Sequence, residues 1–110
     1  MSHTKHDAIV ITTWDPPLIK SAQRKAKKLG LPVTNICRSS INGYYTICVC
    51  PDGSKEGWDE SEAGDKGRAE LVAWMKTHAY EDGSNRLQWV HIEYYEVTEE
   101  KRSNGRVVRS

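Results

Sequence analysis

Apolar residues along this chain form short segments with the period of a strand or of a helix. Residues 7–14, DAIVITTW, are rich in β-branched residues and too few for a stable helix, so they predict a buried strand. In residues 15–30, DPPLIKSAQRKAKKLG, apolar residues recur at steps of three and four, which predicts an amphipathic helix. Asp15 suits the N-cap of this helix, Pro16 its first position and Gly30 its left-handed C-terminal end.

The second half of the chain continues this succession of strands and helices. Residues 33–50 predict a hairpin that turns at Ile41, Asn42 and Gly43, because Asn-Gly readily supplies the positive φ angles of tight turns. A second helix is predicted from about Asp65 to His78, where apolar residues fall on one helical face. Residues 87–97, LQWVHIEYYEV, predict a long final strand.

The order β-α-β-β-α-β predicts an α+β fold in which two helices pack on one face of a mainly antiparallel, ferredoxin-like sheet. We expect a single domain over residues 7–97, preceded by a flexible N-terminus at residues 1–6. Residues 98–110 form either a charged tail or a terminal hairpin, since an Asn-Gly pair precedes the segment RVVR. A terminal hairpin would add an extra C-terminal strand to the sheet.

Composition places the chain among globular proteins, with 37% hydrophobic and 28% charged residues. No apolar run approaches the roughly 20 residues that span a bilayer, and the polar N-terminus lacks the apolar segment of a secretory signal. Three cysteines, an odd number, favour free thiols in a reducing compartment. We therefore expect a cytoplasmic protein without a membrane partner.

The net charge of +1 conceals an asymmetry between the two halves of the chain. Residues 1–50 carry seven Lys or Arg against two Asp or Glu, a net charge of +5. Residues 51–110 carry nine against thirteen, a net charge of −4. This division can steer a partner or pair two copies head to tail, and it also arises from two solvated surfaces. Monomer and homodimer both stay open.

Residues 51–65, PDGSKEGWDESEAGD, place one tryptophan among turn formers and carboxylates. Counted as a calcium loop from Asp52, the segment has Ala63 at the twelfth position, where calcium loops require Glu, so calcium binding is not predicted. We expect a connection that Trp58 anchors to the core. A partner-binding loop is the alternative, because loops often carry function.

A zinc site is the metal centre to consider, since Cys37, Cys48 and Cys50 lie on predicted strands and His91 on the last strand. Cys48 and Cys50 are spaced C-x-C, whereas structural zinc sites usually have C-x₂₋₄-C, and free cysteine is often simply buried. We expect packing of the thiols in the core, with no metal and no cofactor. No catalytic residue is assigned, because neither a phosphate-binding glycine loop nor an activated nucleophile is evident.

Nucleic-acid binding is the alternative function that the basic first helix and the tyrosine pairs support. The basic residues of that helix that would contact phosphates are Lys20, Arg24, Lys27 and Lys28. Tyr44 and Tyr94 would stack bases if the sheet has an open face. The RRM signature is absent, and acidic residues on the last strand would repel a phosphate backbone.

The stretch NGYYTICVCPDGSKEGWDESEAGDKGRAELVAWM, followed by AYEDGS and WVHIEYYEV, resembles a group of small uncharacterised proteins from bacteria and their phages. The resemblance covers roughly residues 8–97 and implies no particular activity, cofactor or site residue. It implies a compact accessory protein that modulates a host macromolecule. Together with the charge division, it leads us to expect a small non-enzymatic module that binds a protein. A small enzyme is a further alternative, since folds of this class host many activities. The expected contact residues are Trp58, Asp59, Glu60, Lys20, Arg24, Lys27 and Lys28.

Overall fold

The computed structural model describes residues 5–54 and 57–95 with their side chains, and the backbone of residues 106–109. In chain order the elements are β1 (Lys5–Thr13), α1 (Pro16–Lys28), β2 (Cys37–Arg38), β3 (Tyr45–Val49), α2 (Asp59–Lys76), β4 (Gln88–Tyr95) and β5 (Arg106–Arg109). The strand order is β2-β3-β1-β4-β5, and all described neighbours are antiparallel. The predicted α+β class, with two helices and a mainly antiparallel sheet, is confirmed.

The structure describes only part of each end of the chain. β1 begins at Lys5, two residues before the predicted strand, and residues 1–4 of the expected flexible N-terminus lie outside the described residues. Of the expected tail or hairpin, residues 98–105 and 110 also lie outside the described residues. The backbone of β5 pairs with β4 and extends the sheet at that edge.

The core lies between the two helices and one face of the sheet. Ile9 and Ile11 of β1 are completely buried and lie opposite Val49 and Ile47 of β3. The helices contribute Leu18, Ile19, Ala22, Ala26, Leu71 and Met75 to the same cluster. Because side chains alternate along a strand, the even-numbered residues of β1 belong to the other face, which neither helix covers.

Helix α1 ends with the backbone geometry that the sequence predicts. Gly30 has a φ of +78°, and its N–H donates to the carbonyl of Lys27 at 3.0 Å, while the N–H of Leu31 donates to Ala26 at 3.0 Å. These two bonds form the Schellman motif, in which a left-handed glycine closes the helix. At the other end, Asp15 is the N-cap residue but makes no side-chain capping bond.

Helix α2 begins at Asp59, six residues before the predicted start, so the connection from β3 is shorter than expected. Its first turn contains Asp59, Glu60 and Glu62, which complement the positive end of the helix dipole. Gly64 and Gly67 are weak helix formers, yet both are buried within α2.

Gly67 shows why these glycines occur inside a helix. A Cβ atom at this position would lie 3.1 Å from Cδ2 of Leu31, so the bare backbone lets α2 approach the segment that follows α1. The packing of the two helices therefore outweighs the local helix propensity.

The predicted hairpin is present in a reduced form. β2 has two residues, which pair with Tyr45 and Thr46 of β3. Neither Asn42 nor Gly43 has a positive φ, so the predicted tight turn is wrong. Instead, the hydroxyl of Ser39 accepts hydrogen bonds from the N–H groups of Ile41 and Asn42, at 3.3 and 3.2 Å, within a wider loop.

Candidate functional site

A group of charged and polar side chains around the buried Arg68 lies where α2 faces β1 and β4. Arg68 of α2 is only 4% exposed, and its guanidinium lies 2.6 Å from Asp65, 3.5 Å from Asp7 and 3.9 Å from Asp52. His91 of β4 is hydrogen-bonded to Asp7 at 3.0 Å. We call Arg68, Asp7, Asp52, Asp65 and His91 the Arg68 cluster.

Asp7 connects the members of this cluster, because its two oxygens have different partners. Oδ1 accepts a hydrogen bond from His91, and Oδ2 faces Arg68 and, at 3.7 Å, Lys5. Burial alone would raise the pKa of Asp7, but the bond from His91 and the charges of Arg68 and Lys5 together lower that pKa below its ordinary value. Asp7 is therefore ionised at neutral pH and can only accept, so Nε2 of His91 carries the proton. Nδ1 of a neutral His91 is then an acceptor.

Asp52 joins the cluster from the segment that precedes α2. Its Oδ1 accepts bonds from the N–H and the hydroxyl of Ser54, at 2.9 and 2.6 Å. Burial raises the pKa of Asp52, but these bonds and the charge of Arg68 outweigh it, and the pKa is lowered overall. A Cβ at Gly64 would lie 2.8 Å from Oδ2 of Asp52, so this glycine lets the segment approach α2 closely.

A pocket of about 500 Å³ opens beside the cluster, between α2 and the strands β1 and β4. Asp7, Arg68 and His91 line it together with an apolar wall from α2, which consists of Ala69, Val72 and Ala73. Its volume lies in the range of about 300–1,000 Å³ that is typical of small-molecule sites. The arrangement can therefore hold a small ligand against a polar wall and an apolar one.

A second feature is the concentration of exposed apolar side chains at one end of the sheet, where β1 ends and where β3 and β4 begin. Trp14 follows β1, Ile41 and Tyr44 precede β3, and Tyr80 lies between α2 and β4. We call these four residues the aromatic end. They are four of the five large hydrophobic residues that are exposed in the described part of the chain.

Arg86 stabilises the chain at the aromatic end. Its guanidinium forms an ion pair with Asp15 and lies 6.0 Å from the centre of the Tyr80 ring. Asp15 thus binds across to the connection before β4 instead of capping α1 with its side chain. This contact joins the start of α1 to the segment that carries Tyr80.

Trp58 and its acidic neighbours lie at the opposite end of the sheet, where α2 begins. Trp58 is the N-cap residue of α2, is 49% exposed and lies outside the core cluster, so the predicted core anchor is wrong. Asp59 and Glu60 are exposed in the first turn. These three predicted contact residues are therefore adjacent, but they are remote from the aromatic end.

The basic residues predicted on the first helix are all exposed, namely Lys20, Arg24, Lys27 and Lys28. α1 starts at the aromatic end and runs back along the sheet, so Lys20 lies nearest that end. Lys27 is about 10 Å further along the helix axis, given about 1.5 Å per residue. The predicted basic residues thus form a row that leads away from the aromatic end.

The two tyrosines of the nucleic-acid alternative occupy different ends of the sheet. Tyr44 belongs to the aromatic end. Tyr94 pairs with His6 across β1 and β4, with ring centres 5.0 Å apart, on the face that the helices leave uncovered. The structure therefore does not bring Tyr44 and Tyr94 together.

The three cysteines are free thiols. Cys37 is exposed and Cys48 and Cys50 are partly buried, so the expected packing in the core is wrong for Cys37. Burial, followed by the neighbouring Cys50, raises the pKa of Cys48. His91 lies in the same row as Ile9 and therefore on the face with the helices, and the described residues contain no cluster suited to a metal ion.

The residues missed by sequence reasoning are Asp7, Arg68, Trp14 and Tyr80, whereas His91 was considered only as a zinc ligand. A signal for the first was present, because Asp7 has the same strand parity as the buried Ile9 and Ile11. An acidic residue on the buried face of a strand requires a partner. The identity of that partner was not readable, since Asp7 and His91 are 84 residues apart.

Comparison with protein-family models, with curated proteins and with solved structures gives no match for this chain. Neither described helix combines the length and the hydropathy that a transmembrane segment requires.

Proposed function

We propose that the protein is a non-enzymatic binding module that docks onto another protein through the aromatic end. The observation that carries this proposal is the gathering of Trp14, Ile41, Tyr44 and Tyr80 at one end of the sheet. Tryptophan and tyrosine are enriched at interfaces, where their burial contributes much of the binding energy. Several large apolar side chains exposed at one end of a small domain favour an interaction site there.

The surroundings of the aromatic end indicate the chemistry of the partner. Lys20 and Arg24 are exposed on the part of α1 nearest to it, whereas the acidic Asp59 and Glu60 lie at the other end of the sheet. Glu81 and Asp82, which directly follow Tyr80, are exposed as well, so the rim carries charges of both signs and favours a partner with an apolar patch and a rim of mixed charge.

The wider setting of this proposal comes from the resemblance to small proteins of bacteria and their phages. It supports a macromolecule of the host as the partner and the cytoplasm as the compartment. We also propose that the fold is ferredoxin-like. The strand order β4-β1-β3-β2 with both helices on one face supports this, and β5 is then an addition at the β4 edge.

Nucleic-acid binding has one observation in its favour, which is the row of exposed basic residues along α1. A phosphate backbone would follow such a row, and binding would then weaken steeply with salt. The tyrosines give it less support, because Tyr44 and Tyr94 lie at different ends of the sheet.

The test uses two matched variants, since Trp14 and Trp58 are similarly exposed, at 55% and 49%, and lie at opposite ends. The tagged wild type, Trp14→Ala and Trp58→Ala are incubated with bacterial lysate, with and without nuclease. Retained proteins are identified, purified and titrated against each variant. We expect a partner that withstands nuclease and whose affinity falls by about tenfold or more with Trp14→Ala, against little change with Trp58→Ala.

Other results would redirect the assignment in defined ways. Loss of binding with Trp58→Ala alone would move the interface to the start of α2. Capture that disappears with nuclease would replace the protein partner by a nucleic acid.

A further inference from the structure

The face of the sheet that neither helix covers is apolar over much of its area. Its positions on β1, β3 and β4 include Ala8, Val10, Cys48, Val90 and Ile92. Val10, Val90 and Ile92 are partly exposed. An antiparallel sheet with one solvated face normally alternates between apolar residues inside and polar residues outside. The uncovered face therefore has the character of a surface that another layer covers.

The charged residues of these strands lie on the opposite face, against the helices. Lys5, Asp7 and Glu93 share the strand parity of the buried Ile9. No described position on the uncovered face of β1, β3 or β4 is Lys, Arg, Asp or Glu. Depletion of charged residues distinguishes the core of a protein interface from the rest of the surface. Since a nucleic acid would need basic residues for its phosphates, the composition of this face favours a protein partner.

The uncovered face carries a pair of large rings and a depression, both between β1 and β4. The rings of His6 and Tyr94 pair at one end, with their centres 5.0 Å apart. Towards the other end lies a depression of about 270 Å³, whose lining includes Val10, Thr12 and Gln88. About five residues of strand separate the two features, which corresponds to about 17 Å at about 3.3 Å per residue.

We propose that two copies of the chain pack face to face through this side of the sheet. A two-fold axis that lies between the two sheets and crosses the strands near Ala8 and Ile92 passes midway between the rings and the depression. The rings of His6 and Tyr94 in each copy then enter the depression of the other copy, so the same surface is used twice. Because one face carries both halves of this fit, a second copy suits it better than an unrelated protein.

The size of the face is sufficient for such a dimer. β1 and β4 have nine and eight residues, so the face is about 25 Å long, and the strands β3, β1, β4 and β5 together are about 19 Å wide. The flat footprint is therefore about 500 Å², and the accessible surface of its side chains is larger. Stable interfaces bury about 600–1,000 Å² on each partner. The face lies at the lower end of this range, so we expect a dissociation constant of about 1 µM.

Charges introduced at the axis test the dimer. Ile92 lies beside the axis and therefore opposite its own copy, so Ile92→Lys and Ile92→Glu each bring two like charges together. Sedimentation equilibrium of the wild type at about 100 µM should give twice the chain mass of 12.5 kDa. Each variant alone should dimerise at least about tenfold more weakly, whereas an equimolar mixture of the two should dimerise again, since its charges are opposite. Recovery in the mixture also shows that both variants are folded.

Ile41→Lys is the matched control. Ile41 is 90% exposed, but it lies in the loop before β3 and not on this face, so its substitution should leave the dimer unchanged. A wild type that is monomeric at about 100 µM would overturn the proposal. Dissociation by Ile41→Lys but not by Ile92→Lys would equally overturn it and place the contact at the aromatic end. A monomer that binds a single-stranded oligonucleotide through Tyr94 would assign the face to nucleic acid instead.

NMR tests the arrangement of the two copies. Within one chain, Tyr94 and Thr12 are six residues apart along the paired strands, about 20 Å, which is far beyond the reach of a proton–proton NOE. In the dimer, the ring of Tyr94 enters the partner's depression, so we expect an NOE from this ring to the methyl group of Thr12. A dimeric wild type without this NOE would refute the fit of rings into depression. The result is independent of the protein-binding proposal, because no residue of the aromatic end lines the depression.

Discussion

Replacing Arg68 by methionine tests whether the buried charges hold the fold together. Of its three carboxylate partners, Asp65 is the nearest, at 2.6 Å, but its side chain is 51% exposed, and such a pair contributes about 0–1 kcal/mol. Asp7 is as buried as Arg68, with 5% of each side chain exposed. Arg68→Met retains much of the side-chain volume but leaves Asp7 as a buried anion with weaker compensation. Breaking a buried pair in this way costs about 3–5 kcal/mol, which we expect at about pH 7.

A second substitution separates this effect from ordinary loss of packing. Arg68→Met combined with Asp7→Asn removes the uncompensated charge, while the amide oxygen of asparagine still accepts the hydrogen bond from His91. We expect the double variant to be more stable than Arg68→Met alone. The coupling energy between the two positions should be about 1–3 kcal/mol, as is usual for residues in one ionic network.

The pH dependence follows from the lowered pKa of Asp7. In the wild type this carboxylate stabilises the fold above its unfolded pKa of about 3.9, and that contribution is lost as the pH falls through the lower folded pKa. In Arg68→Met, the positive charge that opposes the effect of burial is removed, so the pKa of Asp7 rises. Protonation of Asp7 then removes the buried negative charge. The deficit of the variant relative to the wild type should therefore shrink as the pH falls from about 7 to about 5.

Urea unfolding of the wild type, both single variants and the double variant measures these free energies, provided the m-values agree. A cost below about 1 kcal/mol for Arg68→Met would show that Arg68 behaves as a surface charge. Strict additivity of the two substitutions would equally refute a coupled buried pair.

Two further predictions concern stability and can be checked by the same unfolding measurement. Trp58→Ala should change the unfolding free energy by less than about 1 kcal/mol, because Trp58 is half exposed. Leu71→Ala, in the core, should lower it by about 2–5 kcal/mol. If the two substitutions cost about the same, Trp58 is a core anchor after all. Gly30→Ala should cost about 1 kcal/mol from its left-handed backbone alone, since no atom lies within 4 Å of the added Cβ. At Gly43 an added Cβ meets no atom within 4 Å either, and the backbone φ is not positive, so Gly43→Ala should be neutral or stabilise the fold by about 0.4–1 kcal/mol. A clear loss of stability in this variant would instead favour the predicted tight turn.

The elements predicted well are those whose signals are local. β1 shows a run of β-branched residues, and α1 has a proline at its first turn and a left-handed glycine at its end. The start of α2 was predicted six residues too late, because residues 51–65 contain turn formers and carboxylates and were predicted to be a connection. Only the structure shows why glycine occurs at these positions: Asp52 packs close to the backbone at Gly64, and Leu31 packs close to the backbone at Gly67.

The candidate site was the part least accessible to sequence reasoning. The predicted contact residues lie in the acidic segment around Trp58 and on the basic helix, since both features are contiguous in the chain. The aromatic end joins residues from three separate connections, and no periodicity relates Trp14 to Tyr80. Its members lie at the same end of the sheet because β1 ends where β3 and β4 begin.

The sequence by itself determined the class of fold, the order of helices and strands, and the apolar face of α1. It could do so because backbone preference and hydrophobic period act over a few neighbouring residues. Only the tertiary structure decided that Asp7, Arg68 and His91 meet beside one pocket. The pairing of β1 with β4 and the packing of α2 above them bring these residues together, and burial then turns three ordinary polar side chains into a coupled cluster.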